Sequence, residues 1–503
     1  MLKNNILANY AGQIWRVIMA VGLVPAYINL MGIEAFGLVG IFAILQAWIS
    51  LLDMGLRPAV AREMAKYTGD TVSDVFIHDL LRTIELITVM LALIIVSFVY
   101  IGSEWFVENW VNFDSLDKGV IRAAFILMGF ILALNFLESL YSSCLSGLQK
   151  QVDQNIILIL VSSMKGLGSI LVLSFLSPTI IAFFSWQAIC VIVSILSFRV
   201  ITYRRLPKKR RKPEFSWLSL SHIYKFAGGM LGITVVSLLL TQLDKIILSK
   251  YVNLEEFGYF TLAFTVTNAL YTFVTPVSQA FLPRLTQLVA QNSLAQLSKE
   301  YHLSSQIVTA ILGSSAIILL VNSQQIIFLW TLSANLTDNV SYLVTLLTIG
   351  TLFNCIMWIP FQLQLAYGWT SLSLKLNLIA VIILIPTLIM VVPRFGSIGV
   401  AWIYIILNFN LLFFGVMFMH RKLLTEEKYK WLIVNNIIPL IFGLFVCLSM
   451  KFVIPIPDAY ALKLMRIILI TICTFTTIVV LCSQVRYFTG SLILKFYRIL
   501  RDR

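Results

Sequence analysis

Charged side chains interrupt hydrophobic runs at Arg16, Asp53, Arg57, Glu138, Lys165, Asp244 and Lys245. Uncharged polar residues accompany them at helical spacing. Gln46, Ser50, Asp53 and Arg57 follow one another at steps of four, three and four, which places them on one helix face. Asn9, Gln13 and Arg16 share a second face, Asn135, Glu138 and Ser142 a third, and Ser162, Lys165 and Ser169 a fourth. Further along, Thr241 lies four residues before Lys245, beside Asp244. Asn268, Tyr271, Thr275 and Gln279 form another stripe, as do Asn354, Trp358 and Gln362. Ionisable groups in such runs are expensive, so these faces are expected to turn toward a protein interior or a water-filled cavity. There they can hold anions, hydrogen-bond polyhydroxylated molecules or carry protons. Burial raises a carboxylate's pKa, which makes Glu138 and Asp244 candidates for proton or ion coupling.

The same residues are poorly placed for covalent chemistry. There is no GxxxxGK[ST] phosphate loop and no HExxH. The six cysteines lie in or beside apolar runs without zinc spacing, and the four histidines form no metal constellation. No cofactor, metal site or catalytic residue is expected, and the chain is not read as an enzyme.

The 503 residues are 59% hydrophobic and 12% charged, against roughly 25% charged in a soluble domain. This is the composition of an all-α integral membrane protein. Windows of about 20 apolar residues give spans near 10–30, 36–57, 80–102, 120–143, 154–176, 179–201, 224–248, 257–279, 302–322, 339–362, 373–392, 396–419, 433–454 and 464–483. That is fourteen transmembrane helices, or twelve if the final pair is set aside. Pro276, Pro360, Pro386 and Pro439 fall inside them and are expected to kink their helices. The net charge of +14 does not indicate nucleic acid, because the basic residues lie in short gaps between spans. They favour alternate gaps by about four to one, which puts both termini in the cytoplasm. The densest gap, Arg204 to Pro213, is expected to touch anionic lipid and to link two bundles of six helices.

One sequence pattern occurs twice. Ile33-Glu34-Ala35-Phe36-Gly37 returns 221 residues later as Leu254-Glu255-Glu256-Phe257-Gly258, each time followed by a polar-striped span. An even number of spans separates the copies, so both run the same way through the membrane, as in a parallel repeat. The expected organisation is an N-terminal six-helix bundle (1–203), a basic linker (204–223), a second six-helix bundle (224–420), and two extra helices with a basic tail (421–503).

The segments GIEAFGLVGIFAILQAWISLLDMGLRPAVARE, TQLDKIILSKYVNLEEFGYFTLAFTVTNALYTFVTPVSQAFLPRLTQL, QLQLAYGWTSLSLKLNLIAV and VPRFGSIGVAWIYIILN resemble the bacterial O-antigen-type polysaccharide flippases. These belong to the multidrug/oligosaccharidyl-lipid/polysaccharide exporter superfamily. The resemblance covers nearly the whole chain and is weakest after about residue 420. It implies two pseudo-symmetric six-helix bundles around a central cavity in the bacterial inner membrane. It also implies movement of an undecaprenyl-diphosphate-linked oligosaccharide from the cytoplasmic to the outer leaflet, for O-antigen or capsule synthesis. Partners would be that glycan, membrane lipids, and the polymerase and chain-length proteins of the pathway.

Such a substrate needs a wet route for its hydroxyls and cations for its diphosphate. The substrate cavity is therefore expected to be lined by Arg16, Gln46, Asp53, Arg57, Lys165, Thr241, Lys245, Asn268, Tyr271, Gln279, Asn354 and Gln362. Two readings stand for Arg16: an ion pair with Asp53, or a guanidinium forked onto the diphosphate. For Glu138 the alternatives are proton coupling and partnership with Lys165. Within the superfamily, a cation-coupled drug exporter or a flippase for lipid-linked peptidoglycan precursors are the alternatives. A membrane polymerase or ligase would need a larger outer loop than the chain provides.

Overall fold

Apolar runs of this length can satisfy their backbone groups in lipid only as helices or closed barrels. The computed structural model is helical almost throughout. It describes residues 2–53, 56–68, 73–207, 212–217, 235–236 and 238–487, without the side chains of 2–8, 10, 50–53, 56–59, 68 and 279. The chain divides into two units, Met1–Thr261 and Leu262–Arg503.

In the first unit run α1 (Leu2–Gly22), α2 (Val24–Met31), α3 (Ile33–Asp53), α4 (Leu56–Thr68), α5 (Asp74–Asn109), α6 (Lys118–Gly147), α7 (Gln151–Phe175) and α8 (Ile180–Arg205). They are followed by α9 over 238–251 and the start of α10 (Leu254–Asn268). The second unit holds α11 (Tyr271–Ala290), α12 (Leu294–Val308), α13 (Ser314–Val321), α14 (Ser323–Thr331), α15 (Ala334–Ile356), α16 (Trp358–Ala366), α17 (Ser371–His420), α18 (Ile438–Val453) and α19 (Tyr460–Leu481). Among the described residues, eleven helices are long and apolar enough to cross a membrane, and Ile33–Ile49 is a shorter apolar helix. Of the seventh expected span, 224–248, residues 224–234 and 237 lie outside the described residues.

Helix breaks follow local chemistry. The 50 residues of α17 would extend about 75 Å at 1.5 Å per residue, far beyond a hydrocarbon core of about 30 Å. The helix bends at Gly396, whose φ of 51° suits a residue without Cβ. That break separates the expected spans 373–392 and 396–419, as their boundary anticipates. Pro360 and Pro439 sit in the first turns of α16 and α18, just past the points where the preceding helical segments end. A proline costs little there because its missing N–H has no partner to lose. Ser73 caps α5 and Thr179 caps α8, each accepting from a backbone N–H in the first turn at 3.2 and 3.3 Å.

The first unit's core packs Met64, Ile77, Leu80, Leu81, Ile84, Tyr141, Cys144 and Phe198 from α4, α5, α6 and α8. Glu85 is buried beside it and accepts from the hydroxyls of Tyr141 (2.8 Å) and Tyr203 (2.7 Å). Large apolar side chains also face outward. Phe98 and Ile101 are each 78% exposed, an arrangement suited to lipid rather than water.

The two copies of the repeated pattern meet in this unit. A Cβ on Gly37 would collide with the carbonyl oxygen of Leu254, and one on Gly258 with the carbonyl oxygen of Ile33. These contacts exchange equivalent positions, as across a two-fold axis. Gly40 packs against Thr261, its own equivalent 221 residues on. The loop after α5 reinforces the junction. Asn112 accepts from the Leu254 N–H (2.8 Å) and donates to the Lys250 carbonyl (2.8 Å), while Glu34 accepts from the Asp114 N–H (2.8 Å). These bonds hold 250–254 on the first unit, which extends past the linker expected at 204–223.

In the second unit, α18 and α19 pack on α13 through Ile317, Ile318, Cys447, Ile470 and Ile478. A buried polar chain adds direction to this apolar contact. Gln306 on α12 donates to Asn435 (2.9 Å), whose amide lies 2.6 Å from His302 Nδ1. His302 Nε2 lies 2.8 Å from Glu427. Asn435 belongs to a π-helical segment, Lys430–Ile437, facing a second one at Thr309–Gly313. Thr309 donates across to Asn436 at 2.8 Å. The wider π turn thus presents two successive asparagines to α12 and the turn after it.

Two stability results are expected. Gly37→Val and Gly258→Val should each destabilise the detergent-solubilised protein by roughly 1–3 kcal/mol. Gly102→Ala, which meets nothing within 4 Å, should not, and thermal melts compare them. Glu427 supplies the second. Burial pushes its carboxyl up, but hydrogen bonds from Ser298 and His302 and the charges of His302 and Lys430 bring it down to about 2. A depressed carboxylate stabilises above its unfolded pKa and loses that contribution as pH falls through its folded one. Wild type should therefore exceed Glu427→Gln by about 1 kcal/mol at pH 6, with the gap closing between about pH 4.5 and 2. A gap independent of pH would contradict this.

Candidate functional site

The polar stripes of α1, α6 and α7, with Gln46 of α3 and Gln187 of α8, line a cavity of about 770 Å³ inside the first unit. Side-chain bonds between α1 and α7 set its wall. Trp15 Nε1 donates to Ser163 Oγ (2.8 Å), and Asn155 Nδ2 donates to Asn9 Oδ1 (2.6 Å). Gly12 permits this approach, since the space a Cβ would take is filled by the Asn155 amide. Opposite stand Asn135, Glu138 and Ser142 of α6, with Gln46 of α3 and Gln187 of α8.

Arg16 and Lys165 both line the cavity. Arg16 donates to the neutral Gln13 Oε1 (2.7 Å) and to the Gly12 carbonyl (3.3 Å), both on its own helix. Among the described residues, neither cation has a carboxylate within ion-pair distance. Lys165 has no hydrogen-bond acceptor among them either. Glu138, the acidic side chain in the lining, accepts from Ser194 Oγ at 2.7 Å and pairs with neither cation there. The lining therefore holds two basic side chains and one acidic side chain, among neutral amides and hydroxyls. Such a surface can bind an anion with polar, uncharged neighbours. It has no metal cluster among the described residues.

Of the residues singled out in the sequence, Asn9, Arg16, Gln46, Asn135, Glu138, Ser142, Ser162 and Lys165 come together here. The side chains of Asp53, Arg57 and Gln279 lie outside the described residues. Asp244 and Lys245 on α9 are buried and bond to each other at 3.3 Å, with Lys245 also donating to the Thr241 carbonyl. In the second unit, Tyr271 donates to Asn354 (3.0 Å) and lies 3.2 Å from the Tyr404 hydroxyl, and Asn354 donates to Asn408 (2.7 Å). Gln362 has a buried Oε1 without a partner among the described residues, and Asn268 is exposed. Sequence reading missed Gln154, Asn155 and Gln187. Extending the Ser162–Lys165 stripe back by seven residues reaches Asn155, and by eleven from Lys165 reaches Gln154.

The site is a cavity in a helical membrane fold, lined by two cations that have no carboxylate partner among the described residues. The fold is shared with solved members of the MOP superfamily. The lipid II flippase MurJ superposes with a TM-score of 0.69 at 17% identity, covering 97% of this chain and 99% of that one. A multidrug resistance MATE family transporter superposes with a TM-score of 0.66 at 13% identity, covering 84% and 96%. The chain belongs to the polysaccharide biosynthesis protein family, whose pattern matches residues 2–289. A Shigella flexneri protein assigned as an O-antigen transporter is 22% identical over 379 residues, covering 74% of this chain and 86% of its own length. An uncharacterized membrane protein of Methanocaldococcus jannaschii is 23% identical over 470 residues, covering 85% and 90%. The chain is thus a multi-pass membrane protein of that family, and the relatives and structural neighbours named by function are transporters or flippases.

Inorganic pyrophosphate should raise the thermal midpoint of the solubilised protein at low salt. Arg16→Gln and Lys165→Gln should each weaken its apparent affinity roughly tenfold or more, as expected for losing a hydrogen bond to a charged group. Equal affinities in the three proteins would contradict an anion site at this pair.

Proposed function

We propose that the protein carries undecaprenyl-diphosphate-linked oligosaccharide from the cytoplasmic to the outer leaflet of the bacterial inner membrane, for O-antigen or capsule synthesis. The observation that carries this reading is the pair of cations, Arg16 and Lys165, in a roomy lining of amides and hydroxyls. A diphosphate supplies two or more negative charges, and the attached sugars need hydrogen bonds to replace water. The prenyl chain stays in lipid. Both termini face the cytoplasm, and alternating access of two six-helix bundles moves the headgroup across. Glu138, in the same lining, is the candidate for proton coupling, and Asp244 is a second. Asp53, Arg57, Gln279, Asn354 and Gln362 remain candidates for the rest of the route. Polymerase and chain-length proteins of the same pathway are the proposed partners.

An exporter of cationic drugs would be expected to offer acidic groups, and the lining holds more cations than carboxylates. The likeness to the lipid II flippase concerns the fold and does not favour a peptidoglycan precursor over another lipid-linked glycan.

The test is a host strain lacking its own transporter of this kind, scored for surface polysaccharide at matched expression. Arg16→Ala and Lys165→Ala should each cut surface polysaccharide at least about tenfold. Normal polysaccharide from both variants would overturn the proposal.

A further inference from the structure

The cavity lining is chemically divided along its length. Arg16 and Lys165 stand at one level, since their neighbours Trp15 and Ser163 are bonded across the same two parallel helices. Asn9 lies seven residues before Arg16 on α1, and Gln154 eleven before Lys165 on α7. At 1.5 Å per residue, this second level is about 10–16 Å away. It is a belt of neutral groups. Asn9 donates to Gln151 Oε1 (2.8 Å), Asn155 donates to Asn9, and Gln154 donates to Ser142 Oγ (2.8 Å).

These bonds leave part of the belt's capacity unused. A side-chain amide has two N–H donors and a carbonyl oxygen with two lone pairs. Among the described residues, Gln154 uses one donor and no acceptor, and Gln151 uses its acceptor and no side-chain donor. Ser142 accepts from Gln154 and keeps its own hydroxyl proton to give. The belt therefore offers donors and acceptors together, without charge. A phosphate can use only the donors, whereas a sugar hydroxyl uses both. The Asn9–Asn155 bond joins α1 to α7 and the Gln154–Ser142 bond joins α7 to α6, and after both ties Gln154 keeps an N–H and its carbonyl oxygen among the described residues.

We infer that this belt is a glycan subsite, recognising the sugars nearest the diphosphate while Arg16 and Lys165 hold the diphosphate itself. The inference rests on the reading proposed above. The spacing of the two levels suits a di- or trisaccharide. It places selectivity for the carried glycan in Gln154 and Ser142, separately from the cations that give affinity for any prenyl diphosphate.

The experiment compares two probes on purified full-length protein by calorimetry: farnesyl diphosphate, and a panel of farnesyl-diphosphate-linked disaccharides built from hexoses, hexosamines and deoxyhexoses. At least one disaccharide should bind wild type about tenfold or more tighter than farnesyl diphosphate, equivalent to one or two net hydrogen bonds. Gln154→Met and Ser142→Ala should each lose threefold or more of that gain while keeping affinity for farnesyl diphosphate. Arg16→Gln should lose affinity for both probes in the same proportion. Ligand-free melts identify a misfolded variant, and the other belt variant then carries the test. If wild type gains nothing from any disaccharide, or the belt variants keep the full gain or weaken both probes equally, the subsite is overturned and the cation reading stands. If wild type binds neither probe, the proposed function fails and the subsite with it.

Discussion

Taking an ammonium or guanidinium group out of water costs several kcal/mol unless other groups replace its hydration, and this chain meets that cost in two ways. Lys245 is held by Asp244 and by the Thr241 carbonyl. Lys451 donates to the Val321 carbonyl (2.7 Å), and the buried Arg466 spreads its donors over the Lys451 and Ile454 carbonyls and the Gln325 amide. Two of those carbonyls lie near the end of α18, where the helix dipole favours a cation. Arg16 and Lys165 are different, because they stand where α1, α3, α6, α7 and α8 leave a cavity. Their hydration is replaceable by a ligand, which is what a transport site for an anion requires.

The rest of the first unit can be understood as support for that opening. A cavity of about 770 Å³ removes packing from the middle of a bundle, so the helices around it must be fixed elsewhere. The apolar core on α4, α5, α6 and α8 does this on one side. The exchange of Gly37 and Gly258 against opposing carbonyls does it at the repeat junction. Close backbone approach of this kind is how helices associate where lipid offers no hydrophobic drive between them. In the second unit the same need is met by buried amides. Gln306, Asn435, His302 and Glu427 bond in series, so the last two helices are held by direction as well as by apolar contact.

Much of this was legible because lipid leaves so few solutions. Long apolar runs had to be helices, and a stripe with Arg16 or Lys165 on it had to face inward. The break at Gly396 falls at the boundary expected between spans 373–392 and 396–419, although the backbone stays helical through Pro386 and Pro393 up to it. The role of Asn354 and Tyr271 was harder to see. Their spacing matches that of the cavity stripes, yet in the second unit their hydrogen bonds close on Asn408 and Tyr404. Spacing reports which face a residue occupies and says nothing about what the neighbouring helix brings to meet it.

The sequence alone therefore determined the helical membrane class, the approximate spans, the repeat and the presence of inward cations, since each depends on composition or period. Tertiary structure decided which cations are paired and which remain open to a cavity. It also recruited Gln154, Asn155 and Gln187, polar residues that gained meaning only when α7 and α8 were set beside α1 and α6. The physical reason is that periodicity is a property of one helix, whereas satisfaction of a buried polar group depends on the partners that other helices supply.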